Sequence, residues 1–319
     1  MADFIRKIKG LHAVSILWGL AVLYGAPAIA PAQQLGPVIT FQEIISTDED
    51  GGRLFFPSFV YTDPVTEEVY LIDGKGRVII FNNHFFPLYT ASKRNGIENP
   101  QGLAIGPDGR LYVGQAASES NRRHRISVFS PCLKWERNIY LEGFERSDTF
   151  VPYRLAVDKK GTLYVTANNY PGVLVLDNSG RLRDIISPLE GDKKVIITNV
   201  ILDSEDNMYL VSEEEGHIYV YDRERKPLRQ FGEKGGSSGK LSRPRSVGVD
   251  SRHGRMYVSD YMRHTITVYD REGAFLFEFG GLGWGEGWFQ HPIELHVDNK
   301  GRIIVTDTFN QRVQVFNSW

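Results

Sequence analysis

The 319-residue chain predicts an all-β fold: six four-stranded antiparallel sheets set side by side in a ring. Three observations predict it. First, an aspartate recurs at Asp63, Asp158, Asp203, Asp250 and Asp298, with Gly106 in the remaining slot, at intervals of 43 to 52 residues. Second, a proline precedes each of these positions, at Pro57, Pro100, Pro152, Pro244 and Pro292, with Ile197 in the fourth slot. Third, every interval holds short alternating apolar runs separated by turn residues, the pattern of tight antiparallel strands. One such sheet cannot bury both of its faces, so it needs copies of itself. Six units of roughly 40–50 residues with four strands each describe a β-propeller.

In chain order, residues 1–32 stand apart. Arg6, Lys7 and Lys9 precede a mostly apolar run over 11–28, and Ala30-Pro31-Ala32 supplies a small-x-small site before Gln33. This reads as a secretory signal peptide, followed by a propeller domain over 33–319. Retained, the same run approaches the length of a membrane span and would act as an anchor. No cysteine ends it, which argues against a lipid anchor.

Residues 38–45 (VITFQEII) alternate like a strand ahead of the first unit. The second strands are then expected at 69–71, 111–113, 163–165, 208–210, 256–258 and 303–305. The third are expected at 78–81, 126–129, 173–176, 218–221, 266–269 and 313–316. The last unit reaches Phe316 after three strands. The segment 38–45 resembles fourth strands such as 275–279, so it is predicted to complete that sheet and close the ring, removing a free edge.

Two stretches, YVSDYMRHTITVY at 257–269 and VTDTFNQRVQVF at 305–316, resemble NHL repeats. The Phe-Gly-x-x-Gly linkers at Phe231-Gly232 and Phe279-Gly280, each leading to a proline, resemble them too. The resemblance covers the chain from about Pro57 onward and is strongest in the last two repeats. It implies a six-bladed propeller of an exported, bacterial type. It implies no single activity, because NHL propellers serve as enzymes, RNA binders, sensors and protein-binding platforms.

Composition narrows the classes. The chain is 41% hydrophobic and 24% charged with a formal net charge of −2, which gives no general attraction to nucleic acid. Its single cysteine, Cys132, excludes an internal disulfide, c-type haem attachment and a zinc–thiolate cluster within the chain; it is expected as a half-buried thiol. The repeated aspartates are expected to cap turns. The basic run at 122–125 is expected in a solvated loop.

In a propeller the fourth-to-first and second-to-third connections share one face, here called the top, and function concentrates on such loops. The second residue after each proline is expected at the mouth of the central channel, where Arg154, Asn199, Glu294 and Arg245 are predicted to form a polar cluster. Some NHL propellers resemble zinc-dependent lyases that use histidines at the position after the proline. Here those positions hold Ser58, Gln101, Tyr153, Thr198, Arg245 and Ile293, and no histidine. Related calcium-dependent lactonases arrange Glu, Asn and Asp around the channel. Glu294 and Asn199 match two of these, a third carboxylate is missing, and Arg154 would oppose a cation. His296 is expected as a hydrogen-bonded core or channel residue. The stronger signal is aromatic: Trp284 and Trp288 in the glycine-rich loop before the sixth repeat, Tyr261-Met262-Arg263 in the neighbouring top loop, and Tyr170 at the same place in the third repeat. Trp, Tyr, Met and Arg together are the composition of a binding hot spot. The expectation is an exported protein, periplasmic or extracellular, acting as a non-catalytic protein-binding or scaffold module. No metal or cofactor is expected, and the partner is placed in a cell-envelope or electron-transfer assembly. The alternative is a propeller enzyme of the lyase or lactonase type working at the channel mouth.

Overall fold

The computed structural model describes residues 39–318. The signal segment expected over 1–32, and the domain start expected at 33, lie outside the described residues. Six four-stranded antiparallel sheets form the blades of a propeller. Blade 1 comprises Phe59–Thr62, Val69–Asp73, Arg77–Phe81 and Pro87–Ala91. Blade 2 comprises Pro100–Ile105, Leu111–Gln115, Arg125–Phe129 and Trp135–Ile139. Blade 3 comprises Leu155–Val157, Leu163–Val165, Val173–Leu176 and Leu182–Ile186. Blade 4 comprises Asn199–Leu202, Met208–Ser212, His217–Tyr221 and Pro227–Phe231. Blade 5 comprises Pro244–Asp250, Arg255–Asp260, Thr265–Asp270 and Phe275–Gly280. Blade 6 comprises Pro292–Val297, Arg302–Asp307, Arg312–Ser318 and, as its outer strand, Ile39–Ile45. A two-stranded hairpin, Leu189–Glu190 with Lys193–Lys194, decorates the connection from blade 3 to blade 4 and was not apparent from the alternation.

The N-terminal strand closes the ring as the sequence predicted. It runs antiparallel to Arg312–Ser318, with Ile39 opposite Ser318 and Ile45 opposite Val313, across a register shift between Phe41 and Glu43. Phe41 meets Phe316 edge-on at 6.1 Å.

The core lies between blades, because successive side chains of a strand point to opposite faces. In blade 5, Met256 and Val258 pack towards blade 4, and Tyr257 packs towards blade 6. In blade 6, Val305 joins the blade 5 interface and Ile304 the blade 1 interface. Strands buried on both faces therefore read as near-continuous apolar runs in the middle of each repeat.

The repeated aspartates cap the turns on the lower face. Asp158 Oδ1 accepts hydrogen bonds from the backbone N–H of Lys160 and Thr162 at 2.9 and 2.8 Å. Asp203 does the same for Glu205 and Asn207 at 2.8 and 2.9 Å, and Asp298 for Lys300 and Arg302 at 2.9 Å each. A second aspartate set ties the top loops together. The fully buried Asp260 accepts from the backbone N–H of Ser242 and Arg243, just before blade 5, and of Met262 and Arg263, after its second strand. Asp307 does this in blade 6 for Gln290 N–H at 2.7 Å and for the Arg312 side chain at 2.7 Å. Two expectations are corrected. Cys132 is exposed rather than half-buried, since it sits at the tip of a turn between outer strands. Arg125 is buried, not solvated, because it begins a strand and lies inside the sheet.

Candidate functional site

At the channel axis the six inner strands converge on one buried polar network. Arg154 donates through Nε to Glu294 Oε2 at 2.6 Å, through Nη1 to Gln101 O at 2.5 Å and through Nη2 to Ser58 O at 2.9 Å. Asn199 Nδ2 donates to Glu294 Oε1 at 3.0 Å and to Arg245 O at 3.1 Å, and the Ser246 hydroxyl donates to Glu294. The Glu294 N–H is bonded to Thr306 Oγ1 at 2.8 Å. Each blade thus supplies at least one atom. Gly102 in blade 2 allows the close approach: a Cβ there would stand 2.3 Å from Tyr153 O. Burial pushes the Glu294 carboxyl up, against the Arg154 charge and the hydrogen bonds from Ser246, Arg154 and Asn199 that hold it down. All four residues are at most 3% exposed, so they fill the channel mouth rather than line it.

The structure therefore brings Arg154, Asn199 and Glu294 together as expected, adds Ser246, and leaves the Arg245 side chain out. That guanidinium stands on the top surface, 2.7 Å from Glu213 and 4.9 Å over the Tyr261 ring. The reason is alternation: Arg245 is the first residue after its proline and Ser246 the second, so Ser246 takes the axial place. The channel mouth, the seat of the alternative catalytic reading, is occupied by these mutually bonded side chains. Among the described residues no three His, Cys, Asp or Glu side chains are grouped to hold a metal ion.

The open part of the top face is an aromatic band over blades 1, 6 and 5. Phe55 meets Phe56 at 4.7 Å, Phe56 meets Phe309 at 5.5 Å, and Phe309 meets His291 at 4.9 Å. His291 in turn meets Tyr261 at 4.3 Å and His264 at 4.4 Å. Burial, then the neighbouring His291, lowers the pKa of His264 and favours its neutral form. Met262, Phe55 and Phe309 are each more than 40% exposed. Beyond Tyr261 the band runs into a charged depression of about 670 Å3 lined by Glu213, Glu214, Lys234, Arg243 and Arg245. Phe56 and His291, each immediately before a proline, hold left-handed backbone at φ 46° and 56°. Asn99 does so at the same place in blade 2 with φ 53°. For a bulky side chain that conformation costs on the order of 1–2 kcal/mol, and such strain concentrates at functional surfaces.

Beside the band, the loop before blade 6 carries Trp284 and Trp288, 78% and 51% exposed. The loop is held from below. Gln314 Nε2 and Arg312 Nη2 donate to Trp288 O at 2.7 and 3.1 Å, and Asn310 Nδ2 donates to Gly283 O at 2.8 Å. Trp288 lies over the glycines, since a Cβ at Gly281 would meet its ring at 2.8 Å. Phe289 is fully buried between blades 5 and 6.

Of the other residues named from sequence, Tyr261 and Met262 belong to the band. Arg263 is committed elsewhere: it binds Glu278 bidentately at 2.7 and 2.8 Å and donates to Lys240 O at 3.0 Å. Tyr170 is buried against Phe144 and Phe150 rather than presented on the top, because an inter-blade gap there has no other filler. Phe55, Phe56, His291 and Phe309 were missed. Their signal was available in the repeat alignment: Phe56 and His291 share the position before the proline, and Phe309 follows Asp307 at the interval by which Met262 follows Asp260.

An NHL repeat is matched over residues 289–316, the end of the loop before blade 6 and the three strands that follow. No curated protein matches the sequence. Among solved structures, the chain is similar to an auxiliary nutrient binding protein from Bacteroides thetaiotaomicron VPI-5482, at 12% identity and TM-score 0.65 over 88% of this chain and 76% of that one. It is similar to another from Bacteroides ovatus ATCC 8483, at 16% identity and TM-score 0.64 over 89% and 77%. It is also similar to a streptogramin B lyase, at 11% identity and TM-score 0.59 over 89% and 98%. At these identities the likeness is one of fold.

Proposed function

We propose that this NHL-repeat propeller is an exported, non-catalytic binding module that docks a protein partner on the aromatic band of its top face. The single observation that carries the reading is the band itself. Phe55, Met262 and Phe309 stand exposed beside the half-buried Tyr261, Phe56 and His291 on loops fixed from below by buried aspartates, and Phe56 and His291 hold strained backbone. Apolar anchors beside a charged rim are the anatomy of a protein-binding surface. Rigid loops add to affinity by lowering the ordering cost of association. Two of the fold neighbours are described as nutrient binding proteins, in keeping with a binding role on this architecture. Export rests on the charged leader, apolar run and Ala30-Pro31-Ala32 of the first 32 residues.

The test is site-specific photocrosslinking in the native host. A benzophenone amino acid at position 284 or 309 is expected to capture one defined protein, and the same group at position 108 on the lower face is expected to capture none. Capture of that protein from 108 alone would place the interface on the wrong side of the disc. Recovery of the intact 1–32 segment in the membrane fraction would replace export of a cleaved form with an anchored one.

A further inference from the structure

Below the polar network the channel widens into a cavity of about 680 Å3. Its upper end is shut by Arg154, Asn199, Ser246 and Glu294, all nearly inaccessible. Its lower end runs out between the aspartate-capped turns, whose tips at Pro64, Pro107, Lys159 and Arg252 are exposed. The site is thus blind at the top and opens on the face opposite the aromatic band.

The walls are uneven. One level carries Ile105, Val157, Leu202, Val249 and Val297, each partly buried at a blade interface and partly open to the cavity. The level above carries small residues, Ala104, Ala156 and Gly248, on three blades. On blades 1 and 6 the same level carries Tyr61 and His296, whose rings pack at 5.0 Å. Among the described residues neither the Tyr61 hydroxyl nor the His296 imidazole takes part in a hydrogen bond, contrary to the bonded histidine the sequence suggested. Burial keeps both neutral: His296 is lowered to about 4 and Tyr61 is pushed well above the usual phenol range. The rim carries Asp63, Asp158, Asp203, Asp206, Asp250 and Asp298 against only Lys159 and Arg252, which disfavours an anion.

We infer that this lower-face cavity is a binding site for an uncharged small molecule with an apolar body and one hydrogen-bonding group, the body lying against the aliphatic ring and the polar group meeting Tyr61 and His296. The volume falls in the usual range for small-molecule sites, about 300–1,000 Å3, and apolar walls with one convergent polar pair match their anatomy. An apolar wall holds water poorly, so filling it is favourable. The site is separate from the protein-docking band and stands or falls independently of it.

The test is fluorescence titration of the purified protein with N-phenyl-1-naphthylamine, a neutral apolar probe bearing one N–H. Saturable binding to one site is expected. Val157→Trp and Ile105→Trp, which fill the cavity, should each weaken it at least tenfold, and His296→Leu severalfold. The anionic relative 1-anilinonaphthalene-8-sulfonate should bind at least tenfold more weakly. Trp284→Ala on the upper face should leave the probe's affinity unchanged. If a filling variant fails to fold, hydrogen exchange on the wild type decides, because the probe should protect the inner strands at 155–157 and 244–250 and leave the loop at 282–289 unchanged. No saturable signal, undiminished binding by folded filling variants, equal binding of the sulfonate, or loss of binding in Trp284→Ala would overturn the inference.

Discussion

Arg154 in blade 3 and Arg245 in blade 5 occupy neighbouring slots after their prolines, the second and the first, yet one is sealed at the axis and the other lies on the surface. Alternation along the strand separates them, and only the exact alignment to the proline reveals it. Breaking the buried pair should be costly and removing it should not. Arg154→Met or Glu294→Leu alone is expected to lower stability by about 3–5 kcal/mol, because each leaves one charge buried without its partner. The double variant should lose clearly less than the sum of the two, as read by denaturant midpoints in a double-mutant cycle. Additive losses would mean the two side chains do not act as a pair. His296 supplies a second residue-scale prediction. Its pKa is lowered by burial from 6.5 to about 4, so the unfolded chain binds a proton that the folded one refuses. The stability this represents is present above pH 6.5 and is lost as pH falls towards 4, by roughly 3 kcal/mol. His264 is depressed in the same direction and adds to the same window. His296→Leu should therefore shrink the drop in melting temperature between pH 7.5 and 4.5; an unchanged drop would mean that the imidazole titrates normally in the fold.

At the scale of elements, the four-stranded unit was legible because period-two alternation recurs in all six repeats, with a capping aspartate and a preceding proline each in five of them. The closing strand was legible because the last repeat had three strands and the N-terminus carried a spare one. Deleting residues 33–47 should be severe. Ile39, Phe41 and Ile45 pack on or in the core, and together they contribute roughly 4 kcal/mol. For a chain of this size that lowers the melting temperature by about 7 °C, with aggregation through the bared edge of Arg312–Ser318. A truncated protein melting within a degree or two of the untruncated one would contradict closure. The top loops were only half legible. The exposed tryptophans stood out by residue type, but Phe55 and Phe56 lie far in sequence from His291 and Phe309, and the two pairs meet only when blade 6 closes against blade 1. Tyr170 shows the converse: the corresponding loop of blade 3 turns its tyrosine inward, where an inter-blade gap needs filling. The aspartates that end the second strands, Asp73, Asp260 and Asp307, were masked in the sequence by the more regular first-strand set.

At the scale of the whole disc, two faces have different chemistry. The upper face offers an aromatic band and a charged depression, and the lower face offers the mouth of an apolar cavity rimmed by carboxylates. The buried network at the axis separates them and draws on all six blades. A propeller divided in this way presents a large rigid surface above without opening its core. The proposal that most needs a direct test is docking of a protein on the upper aromatic band. The most direct measurement is the affinity of the protein captured by crosslinking, determined by calorimetry for wild type, Trp284→Ala, Tyr261→Ala and the lower-face variant Asp108→Ala, alongside their melting temperatures. The account predicts that each aromatic truncation costs about 2 kcal/mol of binding or more, roughly thirtyfold in affinity. Their melting temperatures should be almost unchanged, and Asp108→Ala should bind as wild type. Undiminished affinity in both aromatic variants, or a loss confined to Asp108→Ala, would contradict it.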